Sequence, residues 1–227
     1  MSAEKAASAI PGRSDQRLRV LVSSVVYGFE DLLESVYALL ETFGYEVLMS
    51  HKGTIPIVNE LSAMDSCLEA VEECDLFLGI ILPRYGTGKE SPGGISVTHR
   101  EADRAISLNK PRWFLVHEHV AIARHLLEPY RDETTKPNFT LLPGISFQKT
   151  PILDDLKILE LYELAMRHDI REVADRTGNW VQPFGPEDDA RLFVTAQFRR
   201  YREVEEKLRA RLGDAQLIAA AIGRSKS

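Results

Sequence analysis

Leu76-Phe77-Leu78-Gly79-Ile80-Ile81-Leu82 is apolar almost throughout, with Cys74-Asp75 before it and Pro83-Arg84-Tyr85-Gly86 after it. A run this short is strand-sized, well below the ~18 apolar residues of a membrane span. Lacking polar alternation, it suits a strand covered on both faces, the usual situation in a parallel sheet. Its neighbours agree. Upstream, Met64, Cys67, Leu68 and Val71 share one face of a predicted helix from Leu61 to Glu73. Downstream, the stretch Pro83 to Gly94 holds four glycines and two prolines and reads as a turn-rich loop. A helix from Thr98 to Leu108 follows, stopped by Asn109 and Pro111, and then a strand from Arg112 to Val116.

The same alternation extends toward the N-terminus. Leu18 to Val22 is a short apolar run, and Phe29, Leu32, Leu33, Val36, Leu39, Leu40 and Phe43 recur at helical spacing up to Gly44. Tyr45 to Met49 reads as another strand. In the second half, Ala121 to Leu127 and Ile152 to His168 have helical patterns around a loop from Lys136 to Thr150. Asn179 to Phe184 is a fifth strand, and Pro186 opens a last helix to about Leu212. Strands alternating with helices predict an α/β fold of three layers, a mostly parallel sheet of about five strands with helices on both faces. We expect one domain over 17–212, between tails at 1–16 and 213–227.

Composition narrows the function classes. The 227 residues carry 28 Lys+Arg against 34 Asp+Glu, a net charge of -6, which disfavours a nucleic-acid binder. With 44% hydrophobic residues the chain is too apolar for disorder, and no apolar stretch suits a membrane partner. Cys67 and Cys74 lie in one predicted helical segment, so a bridge is not expected and a cytoplasmic setting is.

In a parallel sheet the ligand crevice lies beyond the carboxyl ends of the strands. That rule nominates Ser23 to Phe29, His51 to Pro56, Pro83 to Thr98 and His117 to His119. Ser23 and Ser24 precede a helix and offer either a cap or a phosphate contact. No GxGxxG, Walker A or nucleophile-elbow pattern occurs. His117-Glu118-His119 lacks the spacing of a zinc helix, so no metal is expected. Glu101 stands at the crevice mouth, early in the helix after the third strand. Thr98-His99-Arg100-Glu101 also fits a capping box, so a local role and a chemical one are both open.

Several segments together resemble a known family. They are Leu18-Arg19-Val20-Leu21-Val22-Ser23-Ser24, Gly44-Tyr45-Glu46-Val47, Cys74-Asp75 through Arg84-Tyr85-Gly86, Ile95-Ser96-Val97-Thr98-His99-Arg100-Glu101-Ala102, and Lys110-Pro111. Over about 18–118 the chain resembles a TIR-like domain of unknown function, DUF4062, seen in bacteria alone or ahead of STAND-type NTPase modules. Ser-Ser-Val and Asp31-Leu32-Leu33-Glu34-Ser35 depart from that family's usual Ser-Ser-Thr and Asp-Leu-x-x-Glu-Arg.

The layout is also similar to TIR domains and to nucleoside 2-deoxyribosyltransferases, which both place a catalytic glutamate early in the helix after the third strand. The resemblance implies a flavodoxin-like fold, catalytic Glu101, and ligand contacts from Ser23, Ser24, Tyr27, Arg84, Tyr85, Gly86 and Thr98. In this picture Arg84 is the phosphate cation, and Tyr27 or Tyr85 stacks on a base. It implies an NAD-cleaving or nucleotide N-glycosidase with NAD as substrate rather than cofactor, acting as a homo-oligomer, in bacterial defence by family context. A non-catalytic assembly module and a deoxyribosyltransferase-like enzyme are the alternatives.

Overall fold

The computed structural model describes residues 17–57, 60–86, 94–167, 170, 172, 175–176, 179–200, 202–203 and 206. The expected tails and the end of the last helix lie outside them. Strands β1 (Arg19–Ser24), β2 (Glu46–Leu48), β3 (Leu76–Ile81), β4 (Arg112–His117) and β5 (Asn179–Phe184) form one sheet of order β2-β1-β3-β4-β5. Every pairing is parallel. The helices are α1 (Glu30–Thr42), α2 (Ala63–Glu73), α3 (Val97–Ser107), α4 (Glu118–Leu127), α5 (Lys157–Met166) and α6 over 187–200.

The period of two along each strand divides the core into two layers. Val20, Val22, Leu76, Leu78 and Ile80 pack on one face with Leu32, Leu33, Val36 and Leu40 of α1 and Val194 and Phe198 of α6. Leu21, Phe77, Ile81, Phe114 and Val116 pack on the other with residues of α2, α3, α4 and α5. Ser23 lies two residues beyond Leu21 and so shares the α3 side, and in the ladder it pairs with Gly79. Gly79 is required there: a Cβ would stand 2.5 Å from Cδ1 of Phe114 on β4.

Local chemistry explains the helix ends. Gly44, at φ +89°, follows α1 in the left-handed conformation, and its N–H donates to the Glu41 carbonyl at 2.9 Å. Ser62 caps α2 by accepting from the Asp65 N–H at 3.0 Å. The helix expected from Ile152 begins only at Lys157. The Thr150 hydroxyl takes the N–H groups of Ile152 and Leu153, and the Asp155 carboxylate takes that of Lys157 at 3.0 Å. These side chains offer the backbone a non-helical alternative.

Candidate functional site

The strand order reverses between β1 and β3, the position where open α/β sheets bind ligands. A cleft of about 860 Å³ opens there, within the usual range for a small-molecule site. The segment after β1, the start of α1, the turn after β2, and the first turns of α2 and α3 all contribute to its walls.

Glu101 lies in this cleft and is only 5% exposed. Its Oε2 accepts a 2.5 Å hydrogen bond from the Ser23 hydroxyl, and the Cys67 thiol donates to the same carboxylate. Among the described residues it forms no ion pair. Burial therefore dominates and raises its pKa from 4.5 to about 7, while the Ser23 and Cys67 hydrogen bonds pull the other way. The Cys67 thiol is pushed up to about 11, by burial first and then by the neighbouring carboxylate. A carboxyl group poised near neutrality in a cleft is a functional-site signature with a physical cause.

The capping-box reading of Thr98 and Glu101 is corrected. The N-cap of α3 is Ser96, extended at φ -74° and ψ 163°, whose Oγ accepts from the His99 N–H at 3.3 Å. Thr98 already lies inside the helix, and the Glu101 carboxylate turns across to β1 instead of back to its own backbone.

The remaining predicted residues divide into two sets. Ser24, Tyr27, Gly86 and Thr98 line the cleft beside Glu101, and Ser23 forms its floor contact. The Ser24 hydroxyl is committed to the Ile80 and Val25 carbonyls, at 3.1 and 3.0 Å, and serves the turn. Gly86, at φ +80°, leaves space against Val25.

Arg84 and Tyr85 are not brought to the cleft. Arg84 borders an adjoining hollow of about 440 Å³ with His117 and His119, which shares Tyr27 with the cleft, and its guanidinium reaches the Thr150 carbonyl at 3.4 Å. Tyr85 is 3% exposed and points inward. Its hydroxyl bonds His99 Nδ1 at 2.8 Å and accepts from the Ser96 N–H at 3.2 Å, so its ring is unavailable for stacking on a base. Tyr85 acts as a strut that holds the start of α3.

Sequence reasoning missed Glu30, His51, Ser62, Met64 and Cys67 as cleft residues. His51 fell in a nominated strand-end segment, but nothing singled it out. Cys67 was visible only as part of an apolar helix face, and Glu30 carried no signal. His117 ends β4 and caps α4 by accepting from the His119 N–H at 3.2 Å, so the His117 side chain has a structural role. Among the described residues no group of three or more His, Cys, Asp or Glu is placed to hold a metal ion.

Fold and site together define a three-layer α/β domain with a carboxylate-bearing cleft at its switch point. The chain belongs to the family described as Domain of unknown function (DUF4062), whose model matches residues 19–153. Among solved structures it is similar to the CMP N-glycosidase BcmB of Clostridium botulinum, at 24% identity and TM-score 0.30, covering 48% of this chain and 81% of that one. It is also similar to a 2-deoxyribosyltransferase from Bacillus psychrosaccharolyticus, at 21% identity and TM-score 0.30, covering 43% of this chain and 72% of that one. No curated protein matches the chain. No helix among the described residues is long and apolar enough to cross a membrane.

Proposed function

We propose that this protein cleaves the N-glycosidic bond of a nucleoside-containing small molecule, with Glu101 as the catalytic carboxylate. The observation that carries the reading is a buried glutamate at the switch point, aimed into a ligand-sized cleft and held by the neutral donors Ser23 and Cys67. With no counter-cation among the described residues, the charge of its ionised form is left to meet the substrate.

Breaking the bond between the anomeric carbon and the base nitrogen sends the electron pair to the base. Nicotinamide leaves NAD as a neutral molecule, whereas the base of a neutral nucleoside takes up the proton that the attacking water gives up. Positive charge then develops on the sugar ring. Ionised Glu101 stabilises that charge or bonds to the anomeric carbon, and water supplies the hydroxyl that ends the reaction. Ser23 fixes the carboxylate, while Thr98 and Ser24 border the space for the sugar. NAD enters this substrate class through the resemblance to TIR domains. Homo-oligomeric assembly and a role in bacterial defence belong to the same resemblance.

The test is release of free base from NAD, nucleosides and nucleotides by the purified chain, compared with Glu101→Gln. Cleavage lost in the variant supports the reading. A wild type that cleaves none of these, assembled or not, favours a non-catalytic interaction module.

A further inference from the structure

The cleft holds a second carboxylate, Glu30, at the first position of α1. We propose that the pair Glu30 and Glu101 restricts the cleft to nucleosides that carry no phosphate, with Glu30 accepting a sugar hydroxyl. This rests on the glycosidase reading and narrows its substrate class.

Three observations carry the assignment. The turn between β1 and α1 is where a phosphate would ordinarily meet backbone N–H groups at a helix start. Here the Gly28 N–H already donates to Glu30 Oε2 at 2.9 Å, so a side-chain carboxylate occupies that anion position. Glu30 is also held ionised, since backbone hydrogen bonds and the nearby His51 keep its pKa below the usual range.

The second observation is the charge of the walls. Among the described residues lining the cleft there is no lysine or arginine. Arg84, the cation expected to serve a phosphate, does not line the cleft: it borders the adjoining hollow beyond Tyr27, where its guanidinium reaches the Thr150 carbonyl. A phosphate entering the cleft would meet the ionised Glu30 and, once its proton is lost, Glu101, and like charges disfavour binding unless a cation intervenes.

The third is the polar inventory of the cleft walls. Ser50, His51 and Tyr27 border the cleft with hydroxyl and imidazole groups, which suit hydroxyls and base edges, while the Ser62 hydroxyl is taken up by Asp65. A carboxylate accepting a hydroxyl forms a short, charge-assisted hydrogen bond, and the exposed Glu30 carboxylate, with about four lone-pair sites, has acceptor capacity beyond the backbone N–H groups it already holds.

The experiment measures kcat/KM for base release from a set of nucleosides, their 5′-monophosphates and NAD, using the full chain. Equilibrium binding of the same compounds to the Glu101→Gln variant gives a readout independent of turnover. The nucleoside is expected to exceed its monophosphate by about tenfold or more in both measurements. Glu30→Gln is expected to shrink that ratio severalfold, chiefly by raising KM for the nucleoside, at unchanged melting temperature. Equal or better cleavage of the monophosphate or NAD overturns the assignment and leaves glycoside cleavage standing. A Glu30→Gln variant with unaltered selectivity overturns the role of Glu30. Failure to cleave or bind any of the compounds overturns both this inference and the glycosidase reading.

Discussion

Ser23 Oγ donates to Glu101 Oε2 at 2.5 Å, joining the end of β1 to the second turn of α3 across 78 positions of sequence. The contact follows from the strand period, which turns Ser23 to the same side as Leu21, and from α3 packing over that face. It fixes the carboxylate in the cleft and limits how far burial raises its pKa. Much of the behaviour expected of the protein descends from this pair.

The buried carboxyl makes stability depend on pH with a definite sign. Glu101 has a folded-state pKa of about 7, against 4.5 in its ordinary state. Between those values the unfolded chain releases the proton and the folded chain keeps it. Stability from this group is therefore greatest below about pH 4.5, falls as pH rises toward 7, and levels off above, a change on the order of 3 kcal/mol. Melting temperatures of wild type and Glu101→Gln from pH 5 to 8 check this. The variant is expected to gain on the wild type as pH rises, and parallel curves would contradict the burial argument.

In the proposed mechanism the ionised form of Glu101 stabilises the developing charge, so activity is expected to rise with pH through about 7. Ser23→Ala removes a donor to that ionised form and should move the rising limb upward by about one pH unit. Cys67→Ala should move it in the same direction. A pH–rate profile unchanged in both variants would show that neither donor controls the carboxylate.

Gly79 offers a test of the packing beneath the site. Its Cβ would meet Phe114 Cδ1 and Cε1 at 2.5 and 2.6 Å and Phe77 Cε1 at 3.1 Å, and these rings lie in the core. Gly79→Ala is expected to cost about 1–3 kcal/mol in urea unfolding, because the rings must move. A loss below ~0.5 kcal/mol would mean that the face accommodates a side chain there.

We propose that the chain folds as one unit over 17–212. β5 continues the sheet beside β4, α5 packs against α3 and α4, and Phe198 of α6 accepts the Tyr45 hydroxyl on its carbonyl at 2.7 Å. A chain ending at Arg131 would expose the β4 edge and much of both sheet faces, and is expected to aggregate. Sedimentation showing a soluble, cooperatively folding monomer would contradict this.

The strands, the helix order and the position of Glu101 were legible because apolar period and strand-end placement are local signals. Leu76–Leu82 marked a strand covered on both faces, and its alternation with helical segments carried the parallel sheet. The cap of α3 was not legible, since the Ser/Thr-x-x-Glu pattern points to Thr98, whereas Ser96 caps through the His99 backbone N–H, which no side chain marks. Only the burial of Ser96 and the pull of Ser23 on Glu101 decide between them. Tyr85 sits in a motif beside the site yet turns inward, because His99 and the Ser96 N–H supply partners in the core. Glu30 and Cys67 enter the cleft from separate helices, and their convergence is a property of packing that no single segment encodes.

The most direct measurement of the central claim is base release by wild type and Glu101→Gln on the same substrates, with melting temperature measured in parallel. The substitution removes the charge while nearly preserving shape. Because charge stabilisation in a water-excluded cleft contributes several kcal/mol to a barrier, turnover is expected to fall by about a hundredfold or more. The melting temperature at pH 7 is expected to hold or rise. Glycosidic cleavage by Glu101→Gln at near wild-type rate would remove Glu101 from the mechanism and contradict the account.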